Sequence, residues 1–365
     1  MRIIKTGNPK IIMSNPRSHH NYFDWPTVAK LQNGKIAVVA SGFRRRHVCP
    51  FGKAVMVCSE DGGETYTPPA SVIDTVLDDR DGGILAFGTG SVIVTSFNNT
   101  TAFQRSNSGS DAYDLSYLDT VDPQEEADVL GATFRISRDH GVTFGEIQIS
   151  PVSSPHGPLE LPDGTLLWVG YTFSPNDTPQ PDACIQAHQI YPDGTMKYVG
   201  RIENVTIDGA DPLSCEPHAV LLDDGTIIAH IRVEQSSPHI FTIYQSESRD
   251  GGKTWSQPVP LLPITGGAPP HILKHSSGML ICTYGYRQPP YGIKAMFSWD
   301  NGKTWDYGYD IYVNNVNDDL GYPSSVELDD GSILTVFYAH PSANEPAVIM
   351  QQKWQFTDEP DSSPD

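Results

Sequence analysis

Hydrophobic and polar positions along the chain fall into one pattern that occurs six times. A short run of alternating apolar and polar residues leads to a turn glycine, and a second, almost wholly apolar run follows it. The turn glycines are Gly34, Gly90, Gly164, Gly225, Gly278 and Gly331, at steps of 56, 74, 61, 53 and 53 residues. Alternation with period two is the signature of a strand with one buried face, and a glycine between two such runs marks a hairpin. Each step has room for about four strands of ~6 residues with their loops. Six such units predict an all-β fold, a six-bladed β-propeller of four-stranded antiparallel blades. Val348 to Phe356 is expected to be the last strand of the sixth blade. Ile3 to Met13 is expected to add to that blade and close the ring. The polar stretch Asn98 to Val129 reads as an insertion over one face of blade 2. One domain spanning residues 1–365 is expected, with a frayed acidic tail at 357–365.

A second repeat lies between these hairpins. It reads Ser-x-Asp-x-Gly-x-Thr-aromatic and occurs at Ser59–Tyr66, Ser137–Phe144, Ser248–Trp255 and Ser298–Trp305. Turn chemistry accounts for the fixed positions. The Asp carboxylate can accept backbone N–H groups across the turn, and the Gly supplies positive φ. Thr and the aromatic ring then enter the next strand, where the ring packs between sheets. Blade 3 carries only an echo, Tyr191-Pro192-Asp193-Gly194, and blade 6 carries none.

Composition narrows the function. Gly and Pro number 32 and 30, well above the ~12% they make of an average chain together, as a turn-rich all-β protein requires. The net charge of −20 argues against nucleic acid and anionic membranes as partners. No apolar run is long enough to span a membrane. The start of the chain lacks the pattern of a secretory signal, so a cytoplasmic location is expected. The five cysteines are odd in number and scattered, which predicts free thiols and no cysteine metal site. No cofactor and no metal are expected.

In a propeller the first strand of each blade lines the central channel, so ionisable residues near those strand starts are the candidates for chemistry. Asp78-Asp79-Arg80-Asp81 opens blade 2. Crowded carboxylates raise one another's pKa, as a general acid requires, so Asp79 and Asp81 are candidate proton donors, with Arg80 beside them. His47, His156, His218 and His271 also lie near strand entrances and are candidate acids, bases or substrate ligands. In the run Arg44-Arg45-Arg46, Arg44 is expected to point into the channel. Trp25, at the entrance of blade 1, is placed to stack on a ligand or, alternatively, to pack.

The Ser-x-Asp-x-Gly-x-Thr-Trp repeat, with the six inner-strand units, resembles the Asp boxes of the sialidase (neuraminidase) superfamily. The resemblance covers nearly the whole chain. It implies that the boxes are structural and that the site lies at the strand starts. Cys215-Glu216-Pro217, with Glu216 nine residues before Gly225, looks like that family's Glu-Pro strand start, and Arg232 like its strand-terminal arginine. Gly321-Tyr322-Pro323, with Tyr322 nine residues before Gly331, looks like the strand carrying its nucleophilic tyrosine. Arg287 stands for a third arginine. A tyrosine hydroxyl titrates near 10 and needs an adjacent carboxylate to attack at neutral pH. Three positions depart from the family pattern. Asp24-Trp25-Pro26 stands where an arginine is usual. The segment from Arg44 to Gly52 lacks the usual acid/base Asp. Tyr338-Ala339-His340 replaces the final Glu. The resemblance implies an exo-acting glycoside hydrolase for a terminal, anionic sugar. Tyr322 and Glu216 would act at the anomeric carbon. Arg232, Arg287 and Arg44 would hold the acid group, and His47, Asp79 or Asp81 would deliver the proton. Two alternatives stay open. One is a lyase for uronic-acid oligosaccharides, in which His156, His218 or Tyr322 removes a proton. The other is a non-catalytic glycan-binding propeller.

Overall fold

The computed structural model describes residues 2–176 and 182–357. Six antiparallel sheets follow one another along the chain. Blade 1 is Tyr22–Lys30, Ile36–Arg44, Lys53–Ser59 and Ala70–Ile73; blade 2 is Arg80–Phe87, Ser91–Phe97, Ala132–Ser137 and Gln148–Ser150. In blade 3 the innermost strand is broken into Val152–Ser153 and Leu159–Glu160, followed by Leu166–Thr172, Ile185–Ile190 and Met196–Ile202. Blade 4 is Leu213–Leu221, Ile227–Gln235, Ile240–Ser248 and Val259–Pro260; blade 5 is Pro270–Lys274, Leu280–Tyr286, Gly292–Ser298 and Asp306–Val313. Blade 6 is Gly321–Glu327, Ile333–Ala339 and Val348–Thr357, completed by Arg2–Lys5 and Lys10–Met13, both paired with Val348–Thr357. The ring is therefore closed by the two ends of the chain, as expected. The tail predicted to fray lies outside the described residues apart from Thr357, which ends a strand.

Second strands are the driest part of each blade. Ile36 to Ala40 and Ile227 to Ala229 are at most 2% exposed. They are covered by a neighbouring blade on each face, which is why they read as continuous apolar runs. The Asp-box turns join the third and fourth strands at the outer edge. In the first box Asp61 Oδ1 accepts from the backbone N–H groups of Glu64 and Thr65 at 3.0 and 2.8 Å, and Oδ2 accepts from the Thr65 hydroxyl at 2.5 Å. The same contacts recur around Asp139 and Asp250. Each box sends its aromatic ring into the preceding blade. Tyr66 packs on the cluster that holds Leu334 and Val336 of blade 6, Phe144 on the one that holds Val39 of blade 1, and Trp255 on the one that holds Leu167 of blade 3. The boxes thus tie neighbouring sheets at the rim.

The insertion after blade 2's second strand folds into three short helices: α1, Thr101–Ser108; α2, Ala112–Leu118; and α3, Pro123–Val129. Each begins on a side-chain N-cap, Thr100, Asp111 and Asp122 respectively. No disulfide joins any of the five cysteines. Among the described residues no helix is long and apolar enough to cross a membrane.

Candidate active site

One backbone device, used four times, builds the mouth of the channel. The residue nine positions before the turn glycine has positive φ in four blades: Trp25 (49°), Asp81 (52°), Glu216 (46°) and Tyr322 (48°). The register between first and second strands slips at each of them. Asp24 faces Ser41 and Thr27 faces Val39, so three residues advance against two. Identical slips separate Arg80 from Gly83, Cys215 from His218, and Gly321 from Ser324. These are β-bulges, which re-aim a side chain at the cost of the ladder. A left-handed backbone at a non-glycine residue costs of order 1–3 kcal/mol. The next residue is Pro26, Gly82, Pro217 or Pro323, and a proline there has no N–H to leave unpaired. In blades 3 and 5 the same position is Pro155 and Pro269, whose ring locks φ negative. Those two blades offer no polar side chain at this level.

Tyr322 and Glu216 meet across the channel. The Tyr322 hydroxyl donates to Glu216 Oε1 at 2.6 Å. Arg232 donates from Nη1 to Glu216 Oε2 at 2.6 Å and to the Tyr322 oxygen at 3.0 Å, and from Nη2 to Glu234 Oε2 at 2.5 Å. Burial raises the Tyr322 pKa well above its usual value. The charges of Glu216 and Asp81 add to this, and Arg232 and Arg287 oppose it. The tyrosine is therefore a neutral hydroxyl hydrogen-bonded to the Glu216 carboxylate. Burial disfavours the Arg232 charge, but Glu216, Tyr322 and Glu234 outweigh it and hold its pKa well above normal. Arg287 donates to the Leu320 carbonyl at 3.2 Å and to the Tyr338 hydroxyl at 3.4 Å. Its guanidinium lies 5.9 Å from the Tyr322 ring centre and 5.2 Å from that of Phe241. Tyr338 thus meets Arg287 with a hydroxyl and not with a carboxylate.

These groups line a cleft of about 370 Å³. Of the residues singled out from sequence, the structure brings together His47, Arg80, Asp81, Glu216, Arg232, Arg287 and Tyr322 on its walls. The other six lie elsewhere. Arg44 is fully buried behind the wall. It makes a two-pronged pair with Asp78 at 2.6 and 2.9 Å and lies 3.6 Å from Asp24, so it cannot reach a substrate. A Cβ on Gly52 would stand 2.1 Å from both Arg44 Nη1 and Asp78 Oδ1, which explains the glycine. Arg45 and Arg46 turn outward to Asp111 and Asp114 of the helical insertion. Asp79 is also wholly buried and accepts from the Thr75 backbone and hydroxyl. Burial pushes its pKa up to about 7, but it faces no cleft. Trp25 is 1% exposed, sandwiched between the Arg44 and Arg80 guanidinium groups at 4.8 and 4.7 Å, so it packs and presents no face to a sugar. His156, His218 and His271 sit together further down the channel, with ring centres 4.3–5.3 Å apart. They border a different cavity, of about 500 Å³.

Two contributors were not foreseen. Glu234 follows Arg232 by two residues and so shares its face of the strand, a signal the period-two pattern carries. Asp319 comes from the loop before blade 6 and looks like any loop acid in sequence. It gathers Tyr22, Tyr338, His340 and His47 around one carboxylate.

A family model described as a BNR repeat-like domain matches residues 111–336, more than half of the chain. The chain belongs to the BNR repeat-like domain family. A search of curated proteins finds no match. Among solved structures this BNR repeat-like propeller is similar to a protein of unknown function from Dyadobacter fermentans. The two share 20% identity and a TM-score of 0.75, over 97% of this chain and 99% of that one. It also resembles the leech intramolecular trans-sialidase (15% identity, TM-score 0.65, 96% of this chain and 70% of that one). A third similar structure is the Penicillium chrysogenum α-L-arabinanase (13% identity, TM-score 0.59, 96% and 98%). At these identities the likeness is one of fold: sialidase-like propellers carry more than one sugar chemistry.

Proposed function

We propose that this BNR repeat-like propeller is an exo-acting glycoside hydrolase that removes a terminal, anionic sugar. The observation that carries the reading is the Tyr322–Glu216–Arg232 cluster at the channel mouth. Tyr322 attacks the anomeric carbon while Glu216 takes its proton. A neutral nucleophile avoids repulsion by a substrate carboxylate, as in sialidases, which depart from the two-carboxylate rule. The glycosyl–tyrosine intermediate is then hydrolysed by water, so the anomeric configuration is retained. Arg232 is already held by Glu216 and Glu234. Arg287, with no carboxylate partner among the described residues, is the group best placed to hold the substrate's acid. Of the three candidate proton donors, His47 and Asp81 line the cleft and Asp79 does not.

Elimination is less well supported. Of the three bases it could use, His156 and His218 border the other cavity, and Tyr322 alone faces this cleft.

The test is a panel of fluorogenic glycosides, with sialic acid beside uronic acids, arabinose and neutral hexoses, also monitored for unsaturated product. Release of a terminal sugar is expected, with Tyr322→Phe and Glu216→Gln each losing ~10²–10⁴-fold in turnover. Unchanged turnover in both variants would sink the reading. Silence across the panel would favour a binding propeller.

A further inference from the structure

The loop from Arg45 to Gly52 carries His47 into the cleft, and the network behind this side chain fixes what it can do. Its Nδ1 lies 3.3 Å from Asp319 Oδ1 and 3.3 Å from the Tyr22 hydroxyl. Asp319 is bonded on every side. Tyr22 donates to Oδ2 at 2.5 Å, Tyr338 to Oδ1 at 3.1 Å, and His340 Nε2 lies 2.9 Å from Oδ2. His340 Nδ1 meets the Glu345 carbonyl at 2.8 Å. A carbonyl and a carboxylate can only accept, so both nitrogens of His340 carry protons and the ring is a cation. In agreement, burial works against the His340 charge but Asp319 and the Glu345 carbonyl overcome it and raise its pKa. Burial also opposes ionisation of Asp319, yet the hydrogen bonds from His340, His47 and Tyr22 hold its carboxyl far below the usual range. An ionised Asp319 accepts from up to about four donors, and here it has four.

The tautomer of His47 follows. Facing a permanent acceptor, Nδ1 must carry a hydrogen, so the second proton comes and goes at Nε2. That nitrogen has no hydrogen-bond partner among the described residues, and the His47 side chain is 46% exposed.

We infer that Asp319 is a positioning residue that holds His47 in the Nδ1–H form, making His47 Nε2 the proton donor and acceptor of the cleft. The inference rests on the glycosidase reading and assigns its missing acid. In the first step His47 Nε2–H gives its proton to the glycosidic oxygen as the bond from that oxygen to the anomeric carbon breaks. The Tyr322 oxygen bonds to the same carbon, and Glu216 receives the tyrosine proton. In the second step a water attacks the anomeric carbon and its proton goes to His47 Nε2. The Tyr322 oxygen leaves and regains its proton from Glu216. Both carriers end as they began.

The titratable and charged groups around His47 come from four segments: Tyr22 and Asp24 on the first strand of blade 1, Arg44 at the end of its second, Arg80 of blade 2, and Asp319 of the loop before blade 6. Burial lowers the His47 pKa, Asp319 opposes this, and Arg80 and Arg44 reinforce it. The acid form is therefore present on the acidic side of the ordinary histidine range, and the first step is expected to fade as pH rises.

The test combines nitrogen NMR of the imidazoles with kinetics on leaving groups of graded acidity. In the wild-type protein, neutral His47 is expected as the Nδ1–H tautomer. Asp319→Asn is expected to move its titration to lower pH and the alkaline limb of kcat with it, costing about tenfold in kcat near neutrality. His47→Gln is expected to lose ~10²–10⁴-fold on substrates with poor leaving groups, and little on dinitrophenyl glycosides, which need no protonation. Asp319→Ala, checked for folding by circular dichroism, should follow Asp319→Asn. A neutral Nε2–H tautomer in the wild type overturns the inference whatever the activity. So does an unchanged pH limb in Asp319→Asn while Tyr322→Phe is inactive, and that result leaves the glycosidase reading standing. Unchanged turnover in Tyr322→Phe and Glu216→Gln removes the reading itself, separately from the tautomer.

Discussion

Two groups of ionisable side chains share one channel at two levels, and in blade 4 they stand two residues apart on one strand, as Glu216 and His218. At the mouth, Glu216 and Tyr322 stand on strained backbone and are bonded to other side chains. Just below, His156, His218 and His271 are bonded to the framework. His218 Nδ1 accepts the Ile272 N–H at 3.0 Å, tying blade 4 to blade 5. His271 Nδ1 accepts the Ser325 N–H at 3.3 Å, tying blade 5 to blade 6. His156 Nδ1 meets the Thr27 hydroxyl at 2.9 Å, and that hydroxyl donates to the Pro155 carbonyl. In propellers, then, an ionisable residue facing the axis is not evidence of chemistry by itself. What separates the two groups is whom each side chain serves: a partner open to the cleft, or the framework that joins one blade to another.

The largest break in the comparison would come from exchanging their roles. Glu216→Gln should remove turnover by ~10²–10⁴-fold yet leave the melting temperature within about 2 °C of wild type, because no backbone group loses a partner. His271→Ala should do the reverse. It leaves the Ser325 N–H unpaired and opens a cavity, costing about 2–4 kcal/mol in a urea titration, while turnover per folded molecule stays unchanged.

pH sharpens the same contrast. Burial lowers the pKa of all three histidines, to about 3 for His218, and contact between the rings adds to it for His156 and His271. The unfolded chain binds protons at these rings near pH 6.5 and the native one does not. Their contribution to stability is thus complete above pH 6.5 and is lost as pH falls below it, for His218 down to about 3. Asp79 has the opposite slope, because its raised pKa makes the native state bind the extra proton up to about pH 7. The clean measurement is the difference between wild type and His218→Gln in urea midpoint from pH 7 to pH 4, which should shrink in size as the pH drops. A constant difference would mean that the ring is not buried neutral.

The smallest expected effect lies at the rim. Asp250→Asn keeps an acceptor for the Lys253 and Thr254 amides but loses the charge that their dipoles stabilise. A fall of about 2 °C in melting temperature, with no kinetic change, is expected by differential scanning calorimetry.

Much of this was legible in the residues. The six turn glycines and four Asp boxes carried the architecture, because turn chemistry is local and leaves fixed spacings. Glu216 and Tyr322 were found by their distance of nine from a turn glycine. The same count picks out Asp81 and Trp25, and the residue after each is Pro or Gly. The bulge was thus written four times, although Asp81 was noticed only for its acidic neighbours. Arg44 and Asp79 misled because charge near a strand entrance does not say which side of the wall a side chain takes; a bulge a few residues away decides that. Asp319 left no trace, since its importance comes from four partners in distant segments.

The closure of the ring has a mechanical side. Arg2 is paired with Thr357, so the first and last described residues are neighbours on adjacent antiparallel strands. A force drawing those two points apart would load one rung of the ladder at a time, from Arg2 toward Lys5, as a zip fastener is opened from its end. The same hoop resists pressure spread evenly from its centre, where every rung of the seam shares the strain. The propeller is therefore built to keep its shape around whatever fills the channel and to yield at its seam under tension on its ends.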